Sequence, residues 1–255
     1  MTAMTEVLSV RNLCRRFGGL MAVNNVSLDL VIGQVHAVIG TNGAGKSTLI
    51  NMLSGDLPPS AGQIMLDGRS IGGMAPDRIS RMGVGRSYQK TNIFPVFSTF
   101  ENCRLAAQSR QPRPWRLLRG APRWLDVNKQ AQAALEMAGL TKRREAIAAS
   151  LSHGEQRQLE IAMSLATRPR VLLLDEPLAG MGAEESQRMV ELIIRLKREH
   201  AILLVEHDMD AVFAVADVLT VMMNGEVLAS GTPAEIRANP LVQTAYLGEG
   251  EGGHE

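Results

Sequence analysis

Only two cysteines, Cys14 and Cys103, occur in the 255 residues. They lie in unrelated contexts, so neither a metal-ligand spacing nor a disulfide framework is expected, and a reducing cytosol fits. An excess of one charge is also missing. Lys+Arg is 27 and Asp+Glu is 26, a formal net charge of +1, which argues against a general nucleic-acid binder. No apolar run approaches the roughly 18 residues that a membrane span needs. The N-terminal stretch lacks the apolar core of a signal peptide. Any membrane role is therefore expected to come through a partner. The hydrophobic fraction of 45% is ordinary for a soluble globular protein, and the length suits one large domain with or without a small lobe.

One stretch stands out against this background. Gly40-Thr41-Asn42-Gly43-Ala44-Gly45-Lys46-Ser47-Thr48 fits G-x-x-x-x-G-K-[ST], the phosphate-binding loop. The glycines let the backbone curl so that several N–H groups face one anion. Lys46 adds a charge within reach of the β- and γ-phosphates, and Ser47 offers a hydroxyl to Mg²⁺. The flanks agree: residues 34–39 read as a buried strand entering the loop, and 47–53 as the helix leaving it, its positive end on the phosphates.

The rest of the chain reads as an α/β protein. Residues 5–38 are expected to form antiparallel strands, with period-two alternation at Val26-Ser27-Leu28-Asp29-Leu30. Phe17 sits beside Gly18 and Gly19; locally it fits either a base-stacking aromatic or an ordinary core residue. Residues 83–89 read as a strand ending in Gln89, whose amide could meet Mg²⁺ or water, or simply face solvent. Residues 90–150 carry prolines and helical stretches and read as an inserted helical lobe. Within it Arg110, Arg113, Arg116, Arg119 and Arg123 alternate with apolar residues, which fits either an interfacial segment or a solvated insertion.

From residue 151 the core resumes. Ser152 is expected to cap a helix to Ala166, with Glu155 as its capping-box partner. Val171-Leu172-Leu173-Leu174 reads as a strand buried on both faces, delivering Asp175 and Glu176 at its C-terminal end. Two adjacent carboxylates there call for a cation: Asp175 to hold Mg²⁺, Glu176 to take a proton from an attacking water. A charge-rich helix is expected over 183–200, then a strand 201–205 with His207 just past its end, in place to sense a γ-phosphate or to serve structure alone. An Asn224-Gly225 hairpin and a short helical tail come next, with 248–255 expected to fray.

The order of these signals resembles the ATP-binding-cassette (ABC) ATPases: phosphate loop, Gln after a strand, Leu151-Ser152-His153-Gly154, an apolar run with Asp-Glu, then a strand-end His. The resemblance covers about residues 5–247. A guanine-nucleotide reading fails at Asn128-Lys129-Gln130-Ala131, which lacks the needed Asp. The resemblance implies an ABC ATPase fold: a phosphate-loop parallel core sheet (5–89 and 151–230), an antiparallel β subdomain, an inserted α-helical subdomain at about 90–150 and a tail at 231–247. It also implies a head-to-tail dimer, with itself or a sister ATPase, that sandwiches MgATP between the phosphate loop of one copy and Ser152 and Gly154 of the other. Phe17 would stack on adenine, Gln89 would link Mg²⁺ and water to the helical lobe, Glu176 would be the general base and His207 the γ-phosphate switch. His153 and Glu155 depart from the usual Gly and Gln, and Ala179-Gly180-Met181-Gly182 lacks the usual Asp.

Arg16 to Leu20, Leu151 to Ala162 and the tail from Asn239 look like one branch, the ATP-binding subunits of bacterial branched-chain amino acid importers. That likeness implies a cytoplasmic subunit on the inner face of the cell membrane. It would dock on permease subunits through 89–103 and act indirectly with a periplasmic solute-binding protein, without nucleic acid. Urea, short amides or another polar solute are the alternative cargo. A soluble cassette ATPase acting on nucleic acid or ribosomes is the alternative from another class, and the neutral charge and single cassette speak against it.

Overall fold

A computed structural model describes residues 6–88, 92–110 and 122–247. The chain first builds β1 (Glu6–Phe17) and β2 (Leu20–Val31), a long antiparallel hairpin turning at Gly18-Gly19. With β4 (Ala61–Leu66) and β5 (Arg69–Ser70) they form a four-stranded sheet in the order β2-β1-β4-β5. Alternation along β1 and β2 leaves one face wet, as expected of an antiparallel sheet with one packed side.

The second sheet has the order β10-β9-β3-β8-β7-β6, comprising β3 (Val35–Gly40), β6 (Val84–Arg86), β7 (Val171–Asp175), β8 (Ala201–Val205), β9 (Val218–Met223) and β10 (Glu226–Gly231). All its pairings are parallel except β9–β10. This corrects the expectation of antiparallel strands across 5–38. Val35 to Val38 pair parallel with β8, and His36 to Gly40 with β9, because β3 is buried on both faces and belongs between layers rather than at a solvent-facing sheet.

The apolar runs explain themselves by period two. Val171 and Leu173 face one core, shared with the antiparallel sheet and the helix α1 (Lys46–Ser54). Leu172 and Leu174 face another, shared with α3 (Thr99–Ser109), α4 (Pro122–Met137), α5 (His153–Ala166), α6 (Ala183–Leu196) and α7 (Met209–Val215). A strand covered on both sides cannot alternate with polar residues. Each fully buried Val or Leu contributes about 1.5–3 kcal/mol. α3 and α4 pack on α5 and on each other. Two helices not anticipated from the sequence, α2 (Pro76–Met82) and α7, are short; α8 (Pro233–Ala238) and α9 (Pro240–Leu247) make the helical tail. α6 ends at Leu196 rather than 200, and the Asn224-Gly225 hairpin is present with φ of 52° and 84°, the left-handed pair that a two-residue turn requires.

A polar thread joins the layers. His36, buried on β3, contacts the Asp29 carbonyl of β2 at 3.1 Å and Thr220 Oγ1 of β9 at 2.8 Å. Thr220 Oγ1 lies 2.7 Å from Ser230 Oγ on β10. Burial pushes the His36 pKa down, against the attraction of Asp29. A depressed folded pKa means that the neutral ring is favoured by folding, so its contribution is present above the unfolded value of about 6.5 and is lost as pH falls below it. The difference in unfolding free energy between wild type and His36→Gln should therefore shrink on going from pH 7.5 to 5.5 in urea titrations; a difference independent of pH would refute the role of that ring.

Candidate functional site

The loop Gly40–Gly45 is held by backbone on both sides. A Cβ on Gly40 would collide with the Met222 carbonyl of β9, and one on Gly45 with the Ala22 carbonyl of β2. Gly43 and Gly45 have φ of 79° and 100°, values that L side chains rarely adopt. The Asn224-Gly225 turn closes the third side: Gly225 N donates to Ala44 O at 3.1 Å, and its carbonyl accepts from Asn24 N at 2.8 Å. The hairpin is thus a buttress of the loop as well as a turn.

The loop is built for an anion. α1 has no side-chain cap and no acidic residue in its first turn, unlike α3, α5, α7 and α8, each capped by Ser, Asp or Thr. Its first N–H groups keep the partial positive charge that favours phosphate. Lys46 is buried and folds back, its Nζ donating to Gly40 O at 2.6 Å and Thr41 O at 3.0 Å. Burial pulls its pKa down although Glu176 and Asp175 oppose this. Ser47 is exposed at the helix start.

Asp175 ends β7, buried. Burial raises its pKa; Arg86 counters this, and the neighbouring Glu176 adds to it. Arg86 on β6 was not anticipated. Its guanidinium spans Asp175 Oδ2 (3.2 Å), Asp56 Oδ2 (2.7 Å) and Ser54 Oγ (2.6 Å), with side-chain exposures of only 8% for Arg86 and 6% for Asp175. Glu176 has φ of 48°, and its N–H donates to Val205 O at 2.9 Å. A non-glycine residue in the left-handed region typically costs about 1–3 kcal/mol, and this one stands where the chain leaves the buried strand.

Glu206 was also missed. Almost wholly buried after β8, it accepts from Leu178 N at 2.8 Å and His207 N at 3.1 Å, and burial raises its pKa. It staples the segment after Glu176 to the segment bearing His207, whose own side chain is 64% exposed. Both Arg86 and Glu206 show one signal in the sequence, a charge directly on or beside a buried strand; the partner that tolerates it is invisible there.

Phe17, 44% exposed, lies at the hairpin tip under the Arg15 guanidinium (4.6 Å to the ring centroid). The same hairpin touches the loop at Ala22, whose carbonyl lies against Gly45. Gln89 lies outside the described residues, as do Arg113, Arg116 and Arg119. The chain is anchored on both sides of Gln89. On the N-terminal side, Tyr88 N donates to Glu160 Oε1 at 2.9 Å, and Tyr88 O accepts from Arg157 at 2.6 Å. On the C-terminal side, the Asn102 amide holds Phe94 N at 2.7 Å and Phe94 O at 3.0 Å.

Ser152 and Gly154 open α5 elsewhere. Ser152 Oγ accepts from Glu155 N at 3.2 Å, and Glu155 Oε2 accepts from Ser152 N at 3.0 Å, the capping box expected from the sequence. Burial works against the charge of Glu155, but Arg143 Nε at 2.7 Å and the Ser152 N–H outweigh it and hold the pKa below the usual range. The charge that Glu155 brings is thereby already neutralised. Among the described residues, no hydrogen bond joins Ser152 or Gly154 to the phosphate loop of the same chain.

Among the described residues no three His, Cys, Asp or Glu side chains converge as a metal cluster. Ser47 and Asp175 carry oxygen donors of the kind that Mg²⁺ bound chiefly through phosphates takes.

Comparison with known proteins agrees with this geometry. The family model described as ABC transporter matches residues 23–179, and one described as branched-chain amino acid ATP-binding cassette transporter matches 226–252. The chain is 43% identical over 251 residues to the high-affinity branched-chain amino acid transport ATP-binding protein LivG of Salmonella typhimurium, covering 95% of this chain and 98% of that one. It is 42% identical over 252 residues to BraF of Pseudomonas aeruginosa, a protein of the same description, with the same coverage. The crystal structure of an ATP-binding cassette of an ABC transporter in its ADP conformation superposes with a TM-score of 0.85 at 28% identity, over 96% of this chain and 99% of that one. With that family's model lying across both the phosphate loop and the acidic strand end, this chain belongs to the ABC transporter family as one of its ATP-binding cassettes.

Proposed function

We propose that the chain is the ATP-hydrolysing subunit of a branched-chain amino acid importer, working on the inner face of the membrane as a head-to-tail dimer. The observation that carries the ATPase part is the uncapped, glycine-curled loop with Lys46 folded onto its own carbonyls, within electrostatic reach of Asp175 and Glu176. Lys46 is held where incoming phosphate oxygens replace the Gly40 and Thr41 carbonyls as acceptors. The loop N–H groups and the α1 terminus take the rest of the phosphate charge.

Ser47 and Asp175 would hold Mg²⁺, with Gln89 as the further ligand that the family resemblance implies. The chemistry that the ion would supply there is positive charge against the phosphate oxygens. Phe17 takes the adenine on its exposed face. Glu176 accepts a proton from water as that water's oxygen bonds to the γ-phosphorus and the bond to the ADP oxygen breaks. The Glu206 staple holds the backbone just after Glu176 to the backbone of His207. Ser152 and Gly154 open α5, and their acting on the nucleotide of a second copy is what the family resemblance implies.

The permease partner rests on chemistry of another kind. No helix among the described residues is long and apolar enough to cross a membrane. Phe94, Val96, Phe97 and Ile147 are nonetheless exposed together around the segment that Asn102 pins, with Ser98 bridged to Ile147. An apolar patch of this kind fits a docked helix. The cargo assignment rests on likeness to the branched-chain amino acid transport proteins LivG and BraF.

Three outcomes are expected. Glu176→Gln keeps ATP affinity but loses turnover by about 10²-fold or more; turnover near wild type would remove Glu176 as the base. Lys46→Ala weakens nucleotide binding measured by calorimetry, and an unchanged Kd would remove the loop assignment. Cells lacking this chain lose uptake of radiolabelled leucine and recover it with wild type but not with Lys46→Ala. Loss of urea uptake with leucine uptake intact would transfer the cargo to the alternative.

A further inference from the structure

Glu185, in the first turn of α6, lies across the opening of α5. Its Oε1 accepts the Ser152 hydroxyl proton at 2.7 Å. The same carboxyl group fills the space beside Gly154: a Cβ there would stand 2.7 Å from Glu185 Cδ and 2.9 Å from Oε1. One carboxylate therefore covers both residues that the proposed sandwich puts on a partner's nucleotide.

A serine hydroxyl has one proton to give. In Ser152 that proton is committed to Glu185, while a lone pair takes Glu155 N–H. An anion arriving from a second copy needs the same proton and the same face of Gly154. It also meets a negative charge already seated at the positive end of α5. Glu155 differs, since Arg143 pairs it; among the described residues Glu185 has no cationic partner within salt-bridge distance. The cleft around these residues, about 830 Å³, is lined by Lys142, Arg143 and Arg188 against Glu155 and Glu185; with Arg143 spent on Glu155, Lys142 and Arg188 remain to favour an anion once Glu185 has swung aside.

We infer that Glu185 is an intramolecular stand-in for the γ-phosphate: it holds the Ser152–Gly154 face closed in the separate subunit and must be displaced before two copies close on ATP. This rests on the sandwich-dimer reading proposed for the chain. It makes Glu185 a positioning residue that opposes closure, so its removal should strengthen association rather than damage it. A structural role for Glu185 would give the opposite sign.

The test is ATP titration of the hydrolysis-deficient Glu176→Gln protein by sedimentation velocity, with and without Glu185→Gln, and with Glu185→Ala as the second variant. Urea titration checks that each is folded. Either substitution should lower the ATP concentration for half-dimerisation by about two- to fivefold, the range of one partly exposed charge contact. Equal or higher midpoints in the folded variants would overturn the inference while leaving the sandwich intact. Monomer at every ATP concentration, with and without Glu185, would overturn the sandwich and this inference together.

Discussion

Backbone pressed on backbone around the phosphate loop is the constraint on which the remaining structure depends. The loop passes between the Met222 carbonyl of β9 and the Ala22 carbonyl of β2, with no room for a side chain at Gly40 or Gly45. The two sheets must therefore meet at this point, and the Asn224-Gly225 turn must reach the Ala44 carbonyl to close it. Strand order reflects the same need: β3 lies centrally, with β9 on one side and β8 and β7 on the other. The acidic end of β7 is thus delivered one strand beyond β8, at the edge of the loop, where phosphate charge would be handled.

Charge in the interior is tolerated only where geometry cancels it. Arg86 joins Asp175 and Asp56 in a space with little solvent; Arg157 joins Glu160 and the Tyr88 carbonyl; Glu206 receives two backbone N–H groups. Burial raises the carboxyl pKa of Asp175, Glu160 and Glu206 alike, and removing any one partner would leave the other charge unbalanced, which is costly. Such pairs connect places that packing alone would leave independent. Arg86 links the metal-type carboxylate to the end of α1, and Arg157 with Glu160 links α5 to the segment leading to Gln89. A displacement of α5 would then be felt at the Tyr88 backbone and in the chain that follows it.

The opening of α5 shows a helix terminus with two competing uses. Its capping box satisfies the local backbone, while Glu185 from α6 takes the hydroxyl proton that a ligand would use. The cap and the Glu185 contact draw on the same hydroxyl, so a change in either is felt by the other.

Much of this was written in the sequence by local rules. Continuous apolar runs marked β7 and β8 as buried strands because both faces are covered, Ser152 and Glu155 declared a cap because their reciprocal bonds span three residues, and Asn224-Gly225 declared its turn because both positions need positive φ. The phosphate loop was legible because its chemistry depends on contiguous backbone. The direction of β3 was not: a short apolar strand pairs either way until its neighbours are chosen, and those neighbours lie some 170 residues along the chain. Short helices such as α2 and α7 offer too few turns to show a period. Only the tertiary structure decided which charges meet. Arg86 finds Asp175 89 residues away, Glu185 finds Ser152 33 residues away, and Glu206 finds the Leu178 amide 28 residues away. Residue type fixes what a side chain can donate or accept, while its partner is set by the packing of layers.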